Sequence, residues 1–342
     1  MAFYKQLDED SKMQDVAVVT SGVFQDGVSN ITTFFTSSTQ YSNTGDYSID
    51  IYRYDPSNNA SASVQFGVTY GHIGGSGSLG TKGATGDRTT AAVYGQINNL
   101  INPPNTSRFT FGGNSDVDQV YAIVFNRARV REKLEPGGWE LHLNAGTGVV
   151  KLIDDSSTGP TTNQRNFAPE YNVVSGSLVG GTTINEVASS DSTNGSYGSF
   201  YPSLGLLLLN PKRLQVANAA GGVGMATISG SNADNRNDRL LYNSIKSGAY
   251  FQAKRQEEVT SRHYFIRANA GQFNMTTNET YYTKSAAGTR LIIPGLRTDP
   301  KTYITTVGLY NDSNELLAIA KLSKPILKSK SREALIKVKL DF

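Results

Sequence analysis

The chain has no cysteine, and that absence removes disulfides, thiol nucleophiles, zinc ribbons and iron–sulfur clusters together. Histidine is nearly as scarce. His72, His142 and His263 are far apart and share no i,i+4 spacing, which excludes a zinc site built from histidine. Each sits among strand-forming residues, a setting that predicts a hydrogen-bonded side chain rather than a ligand. Long apolar runs are missing too: Leu206–Leu209, the longest aliphatic stretch, falls far short of the ~20 residues that cross a bilayer. No membrane span is expected. Residues 1–10 turn acidic where a secretory signal stays apolar, which points to folding in a reducing cytoplasm. A net charge of +3 is too small to imply nucleic acid as a partner.

Hydrophobic residues make up 38% of the chain and charged residues 18%, both below the ordinary shares of roughly 45–50% and 25%. Uncharged polar residues and 34 glycines fill the difference. The 18 Tyr, 14 Phe and one Trp argue against disorder. Abundant Thr, Tyr, Val, Ser and Asn with glycine punctuation is the composition of strands joined by long loops. At 342 residues the chain has room for about two domains, three at most.

Period-two alternation marks strands at residues 31–35, 47–54 and 64–70, with the turn Asp55-Pro56-Ser57-Asn58-Asn59 between the last two. A start that is helix or strand precedes them at residues 3–20. After a glycine-rich loop at 71–86, Val93, Ile97, Leu100 and Ile101 recur at helical spacing, with a threonine as N-cap and Asn102-Pro103-Pro104 as the stop. Further strands are read at residues 108–111, 120–125, 139–143 and 149–153, with Trp139 as a core anchor. Residues 156–198 collect Ser, Thr, Gly and Asn and are expected as long surface loop, with weak strand signals at 171–174. Residues 201–209 form a buried strand stopped by Asn210-Pro211. A second helix is placed within 234–254 with Leu240, Leu241, Ile245 and Ala249 on one side, followed by a strand at 263–268.

Candidate catalytic groupings fail on chemistry. Gly75-Ser76-Gly77-Ser78-Leu79-Gly80-Thr81-Lys82 satisfies G-x-G-x-x-G, but lysine and hydroxyl are transposed relative to a phosphate loop, and Gly83 and Gly86 hold the following helix away. The acid pairs Asp154-Asp155, Glu257-Glu258 and Asp116/Asp118 are sequence neighbours, which does not supply the two facing carboxylates of a glycosidase. No G-x-S-x-G elbow occurs. The basic run Arg127-Ala128-Arg129-Val130-Arg131 is diluted by Glu132 and Glu135 and is read as an exposed strand end. No catalytic residue, metal or cofactor is therefore assigned.

Basic charge gathers at the end of the chain. Residues 321–342 hold seven Lys/Arg against two acids, and residues 1–320 hold 25 against 27. Two apolar runs, 303–310 and 315–322, flank the turn-forming Asn311-Asp312-Ser313-Asn314 and predict a hairpin. Pro325 ends or edges its second strand. A third strand follows, with Ile336, Val338, Leu340 and Phe342 on one face and Lys337, Lys339 and Asp341 on the other. The order Thr306-Val307-Gly308-Leu309-Tyr310, then 311–314, Glu315-Leu316-Leu317-Ala318-Ile319-Ala320, Lys324-Pro325 and the alternating 335–342 strand resembles the closing segment of tail and baseplate structural proteins of large contractile-tailed bacteriophages. The resemblance covers about the last forty residues, is patchy before them, and implies no active-site residue.

The expected fold is mostly β or α+β, with antiparallel sheets, long polar loops, two or three short helices and a C-terminal three-stranded β segment. Four regions are expected: a β-rich 1–155 with one helix, a loop region 156–200, an α+β region 201–302, and 303–342. The resemblance implies a virion tail or baseplate protein, made in the host cytoplasm, present in several copies and bound to other virion proteins. Candidate contacts are Tyr310, Lys324, Lys328, Lys330, Arg332, Lys337 and Lys339, since aromatic and basic residues anchor interfaces and lysines answer an acidic surface. Two other classes remain: a receptor- or glycan-binding adhesin stacking sugars on Tyr281, Tyr282, Tyr197 or Tyr201, and a cell-wall hydrolase with two close carboxylates.

Overall fold

Four consecutive leucines suit a strand buried on both faces, because successive side chains point to opposite sides. Leu206–Leu209 form such a strand: Leu207 and Leu209 enter one hydrophobic core, Leu206 and Leu208 another. The structure is a computed structural model that describes residues 5–37, 48–78, 89–103, 106, 108–112, 114–158, 163–165, 168–184, 193–230, 236–284 and 290–342. It is mostly β, and the pairings described between its strands are antiparallel.

The strands in chain order begin with β1 Lys12–Gly22, β2 Asn30–Ile31, β3 Ser48–Tyr52, β4 Val64–His72, β5 Phe109–Phe111, β6 Asn114–Val117 and β7 Gln119–Phe125. Next come β8 Lys133–Leu134, β9 Glu140–Asn144, β10 Val149–Asp154, β11 Asn163–Arg165, β12 Ala168–Ser177, β13 Thr183–Ile184, β14 Gly198–Tyr201 and β15 Leu206–Leu209. The remainder are β16 Phe251–Gln252, β17 Lys254–Ala268, β18 Tyr282–Lys284, β19 Arg290–Ile292, β20 Lys301–Tyr310, β21 Leu316–Ser329 and β22 Ala334–Asp341.

The chain divides into two units, residues 19–257 and residues 1–18 with 258–342, and the division falls inside β1 and inside β17. Boundaries at 155, 200 and 302 do not coincide with it. The physical reason is a single sheet in residues 19–257, ordered β2-β16-β9-β10-β12-β14-β15-β7-β4-β3 with β11 and β13 on β12, which draws strands from both sides of those positions. Within it β12 is a ten-residue strand paired with β10 and β14, where long loop was expected. Its polar residues are partnered, which is what permits them in a sheet interior. Asn172 donates from its backbone and side chain to Asp155, and Glu170 accepts from the Tyr201 hydroxyl at 2.9 Å.

Each face of this sheet carries a helix. Arg236–Gly248 packs Leu241, Tyr242 and Ile245 with Tyr70, Tyr121, Ile123 and Leu143. Gly248 is required there, since a Cβ would stand 2.1 Å from the His142 carbonyl oxygen. Next to that helix in the same core, Phe24, Phe66, Phe125 and Phe251 form an aromatic quartet in which all six ring pairs lie 5.2–6.5 Å apart. On the other face, Thr89–Ile101 buries Thr90, Tyr94, Asn98 and Ile101, one position away from the 93/97/100/101 stripe read from the sequence. Hydrogen bonding explains the shift: Tyr94 Oη donates to the Val117 carbonyl and Asn98 Nδ2 to that of Thr106, so these polar positions face inward while Leu100 stays exposed.

Local chemistry also moves smaller elements. Arg127–Val130 is a single helical turn capped by the Asn126 side chain, not a strand end. Asn210 likewise caps the Pro211–Gln215 turn instead of merely stopping a strand.

In the second unit β17 lies between β1 and β22. β17 and β22 pair from Ser261↔Asp341 to Ala268↔Ala334, and the expected alternation of β22 holds at Ile336 and Val338, buried beside exposed Lys337 and Lys339, whereas Leu340 is half-buried and Phe342, past the strand, is exposed. The three C-terminal strands are all present but do not make one sheet: β20 and β21 form their own two-stranded ribbon, and β22 joins β17.

Candidate assembly surface

The ribbon begins from a turn that its sequence dictates. Asn314 takes the left-handed conformation (φ 60°), and its backbone N–H donates to the Asn311 carbonyl. The Asn311 side chain accepts from the Glu315 N–H at 2.8 Å and donates to its carboxylate at 2.6 Å. Register is then regular from Thr306↔Lys321 to Leu309↔Ala318, with a bulge at Leu317 before Tyr310↔Leu316. One face presents Thr306, Gly308, Tyr310, Leu316, Ile319 and Lys321, all exposed, and the other half-buries Val307, Leu309, Ala318 and Ala320. Gly308 belongs to the motif for a packing reason. The Tyr310 ring lies across it, 2.9 Å from where a Cβ would stand, beside Leu316.

Below this the two strands lose step. Ile304↔Ile326 is followed by Thr306↔Lys321, so residues 322–325, Pro325 among them, stand opposite Thr305 alone. The base is held by polar contacts. Lys328, opposite Thr302, is 0% exposed, and its Nζ donates to the carbonyls of Ala270 and Ser329 and to Asn274 Oδ1 at 2.9–3.0 Å. Thr302 Oγ1 donates to the Phe273 carbonyl. Lys328 is thus an internal anchor, and its removal from the set of surface contacts is a correction to the sequence reading. Of the other residues in that set, Tyr310, Lys324, Lys330, Arg332, Lys337 and Lys339 are exposed, but they divide between the ribbon, the short connection after it and β22. Lys339 is engaged with Asp341 at 2.9 Å.

The sequence reading missed the apolar component. Among the described residues β20 and β21 pair only with each other, yet Tyr303, Leu317 and Ile319 are 64%, 68% and 62% exposed. β1 is an outer strand of its sheet and exposes every residue from Lys12 to Thr20, including Met13, Val16 and Val18. The signal was available: five consecutive apolar residues, 316–320, place apolar groups on both faces of a strand, and a two-stranded ribbon has nothing with which to cover both.

The remaining candidates are taken up by structure. Asp154 accepts from the Gly137 and Ser156 amides, and burial pushes its carboxyl above the usual range, while Asp155 accepts from Asn172. Glu257 pairs with Arg131 and Arg255, and Asp118 with Arg108, whereas the Asp116 side chain lies outside the described residues. Tyr197, Tyr201 and Tyr281 are buried, and Tyr282 is half-buried against Tyr281, so they offer no exposed platform for a sugar. His72 accepts from the Gly74 amide, and burial lowers its pKa; His142 bonds Glu140 at 2.6 Å. His263 departs from expectation, since its buried Nδ1 has no hydrogen-bond partner among the described residues. In the glycine-rich loop the Gly77 amide donates to the Gly230 carbonyl and Ser78 bonds Thr90; residues 79–88 lie outside the described set. Among the described residues no group of three acidic or histidine side chains is placed to hold a metal ion, and no helix is long and apolar enough to cross a membrane. No known protein family, curated protein or solved structure matches the chain.

Proposed function

We propose that this chain is a structural protein of a bacteriophage virion, a tail or baseplate component that is present in several copies, holds neighbouring subunits in register and turns over no substrate. The observation that carries the assembly reading is the β20–β21 ribbon, which exposes Tyr303, Tyr310, Leu316, Leu317 and Ile319 and pairs with no further strand among the described residues. Apolar residues gathered on a strand edge are a liability in a free protein and an asset in one that is covered by neighbours. The virion setting rests on the resemblance of residues 306–342 to the closing segments of tail and baseplate proteins. Its test is direct: purified particles are imaged and their proteins identified by mass spectrometry. The expected result is density for this fold in the tail with the ribbon under a neighbouring chain. Absence from particles, together with turnover by the free protein, would overturn the reading.

A further inference from the structure

The β20–β21 ribbon is built as two paired pieces with a break between them. In the lower piece the pairs run from Lys301↔Ser329 to Ile304↔Ile326, and in the upper piece from Thr306↔Lys321 to Tyr310↔Leu316. Cross-strand pairing is what stiffens a two-stranded ribbon, and here the ladder skips Thr305 on one strand and residues 322–325 on the other. Pro325 has no N–H to donate across the break. Thr305, Ser323, Lys324 and Pro325 are exposed and Leu322 is half-buried, so core packing does not replace the missing pairs. We propose that the break is a hinge: residues 306–321 swing as one arm about Thr305 and residues 322–325, while the lower piece stays in place. The inference concerns the chain by itself and goes beyond the assembly reading.

The two pieces are held differently, and that decides which one moves. Below the hinge, buried Lys328 donates to Ala270, Asn274 and Ser329, and Thr302 donates to Phe273, which ties the lower piece to residues 270–274. Above it, the turn is closed from within the arm, where the Asn311 side chain accepts from the Glu315 N–H and donates to its carboxylate. At the tip, Asp312 acts on Lys12 through space, behind the Glu9 hydrogen bond that dominates at that lysine. An attraction between exposed charges is weak and is screened by salt. Val307, Leu309, Ala318 and Ala320 are only half-buried, so little apolar burial opposes a swing. Hinges are a few residues that absorb a change in φ and ψ while the flanking elements keep their hydrogen bonds, and 305 with 322–325 has that form. At about 3.3 Å per residue the turn stands roughly 20 Å from Thr305, so a swing of ~20° carries it roughly 7 Å. Such a swing re-aims the face bearing Tyr310 and Ile319 and leaves the base undisturbed.

Because the chain has no cysteine of its own, paired spin labels on the full-length protein test this. Ser313→Cys with Lys330→Cys spans the hinge, and Ser313→Cys with Lys321→Cys lies within the arm; all three sites are exposed. Double electron–electron resonance at dilute concentration is expected to give a distance distribution at least about twice as broad for the spanning pair as for the arm pair. Deleting residues 322–324 together with Pro325→Val closes the break, since residue 325 then stands opposite Thr305 between Ile304↔Ile326 and Thr306↔Lys321. In that background the spanning distribution is expected to narrow to the width of the arm pair, and an unchanged arm-pair distance checks that the ribbon still forms. A native spanning distribution as narrow as the arm pair's would overturn the inference. So would one that stays broad after the break is closed, since the motion would then lie elsewhere. These readings come from the isolated chain, so a rigid ribbon leaves the virion role standing, and absence from particles leaves the hinge standing.

Discussion

Residues 19–257 and the unit made of residues 1–18 and 258–342 spend their apolar side chains differently. The first sends Phe24, Phe66, Phe125, Phe251, Leu207 and Ile123 into one core and Tyr94, Phe109, Leu206 and Leu208 into another. The second leaves Met13, Val16, Val18, Tyr303, Leu316, Leu317, Ile319 and Leu335 outside, and seats the base of its ribbon on a buried lysine. The second has strands whose apolar side chains are left uncovered among the described residues.

Substitutions sharpen this contrast. The largest effect is expected in the first unit, where Phe66→Ala removes a ring that lies near three others and costs about 3–5 kcal/mol, read from denaturant titration. Next is Lys328→Met, which deprives one buried and two half-buried oxygens of their donor; a cost of roughly 1–3 kcal/mol is expected as faster amide exchange at 301–304 and 326–329, with residues 19–257 unchanged. Equal slowing or speeding across both units would break the comparison. Leu317→Ser with Ile319→Ser is expected to change stability by no more than about 0.5 kcal/mol each, because the side chains are already in water.

Smallest is an opposition in pH dependence. In the first unit burial raises the Asp154 pKa above its unfolded value, so its contribution is lost as pH rises from the ordinary carboxylate range through the raised value. In the second, hydrogen bonding from Arg267 lowers Glu333, and hydrogen bonds from Ser261 and Lys339 lower Asp341. Their contribution is present above the unfolded pKa and lost as pH falls through the folded one. Asp154→Asn is expected to steepen the acid limb of a thermal melt series, because it removes a contribution that grows as pH falls, and Glu333→Gln to flatten it; changes of the same sign would remove the distinction.

Much of this was legible beforehand. The alternation of 47–54 and 64–70 became β3 and β4, and Asn311–Asn314 made the hairpin turn through the side-chain bonds that asparagine offers. The failures share a cause. Residues 168–177 gave only a weak strand signal, at 171–174, because their polar members find partners, Asp155 and Tyr201, that are distant in sequence or supplied by another strand. Tyr94 and Asn98 displaced Leu100 from the buried face of a helix for the same reason. Lys328 was read as surface because lysine is almost never buried without acceptors, and its acceptors at 270 and 274 lie more than fifty residues away.

Periodicity and turn chemistry are local, so the sequence by itself determined where β3, β4, the two long helices and the terminal hairpin form. Which strands become neighbours, which polar groups find a donor or acceptor, and which apolar faces are left without cover depend on contacts between residues remote in the chain. Only the tertiary structure decided those, and with them that Lys328 lies inside while Met13, Leu317 and Ile319 face outward.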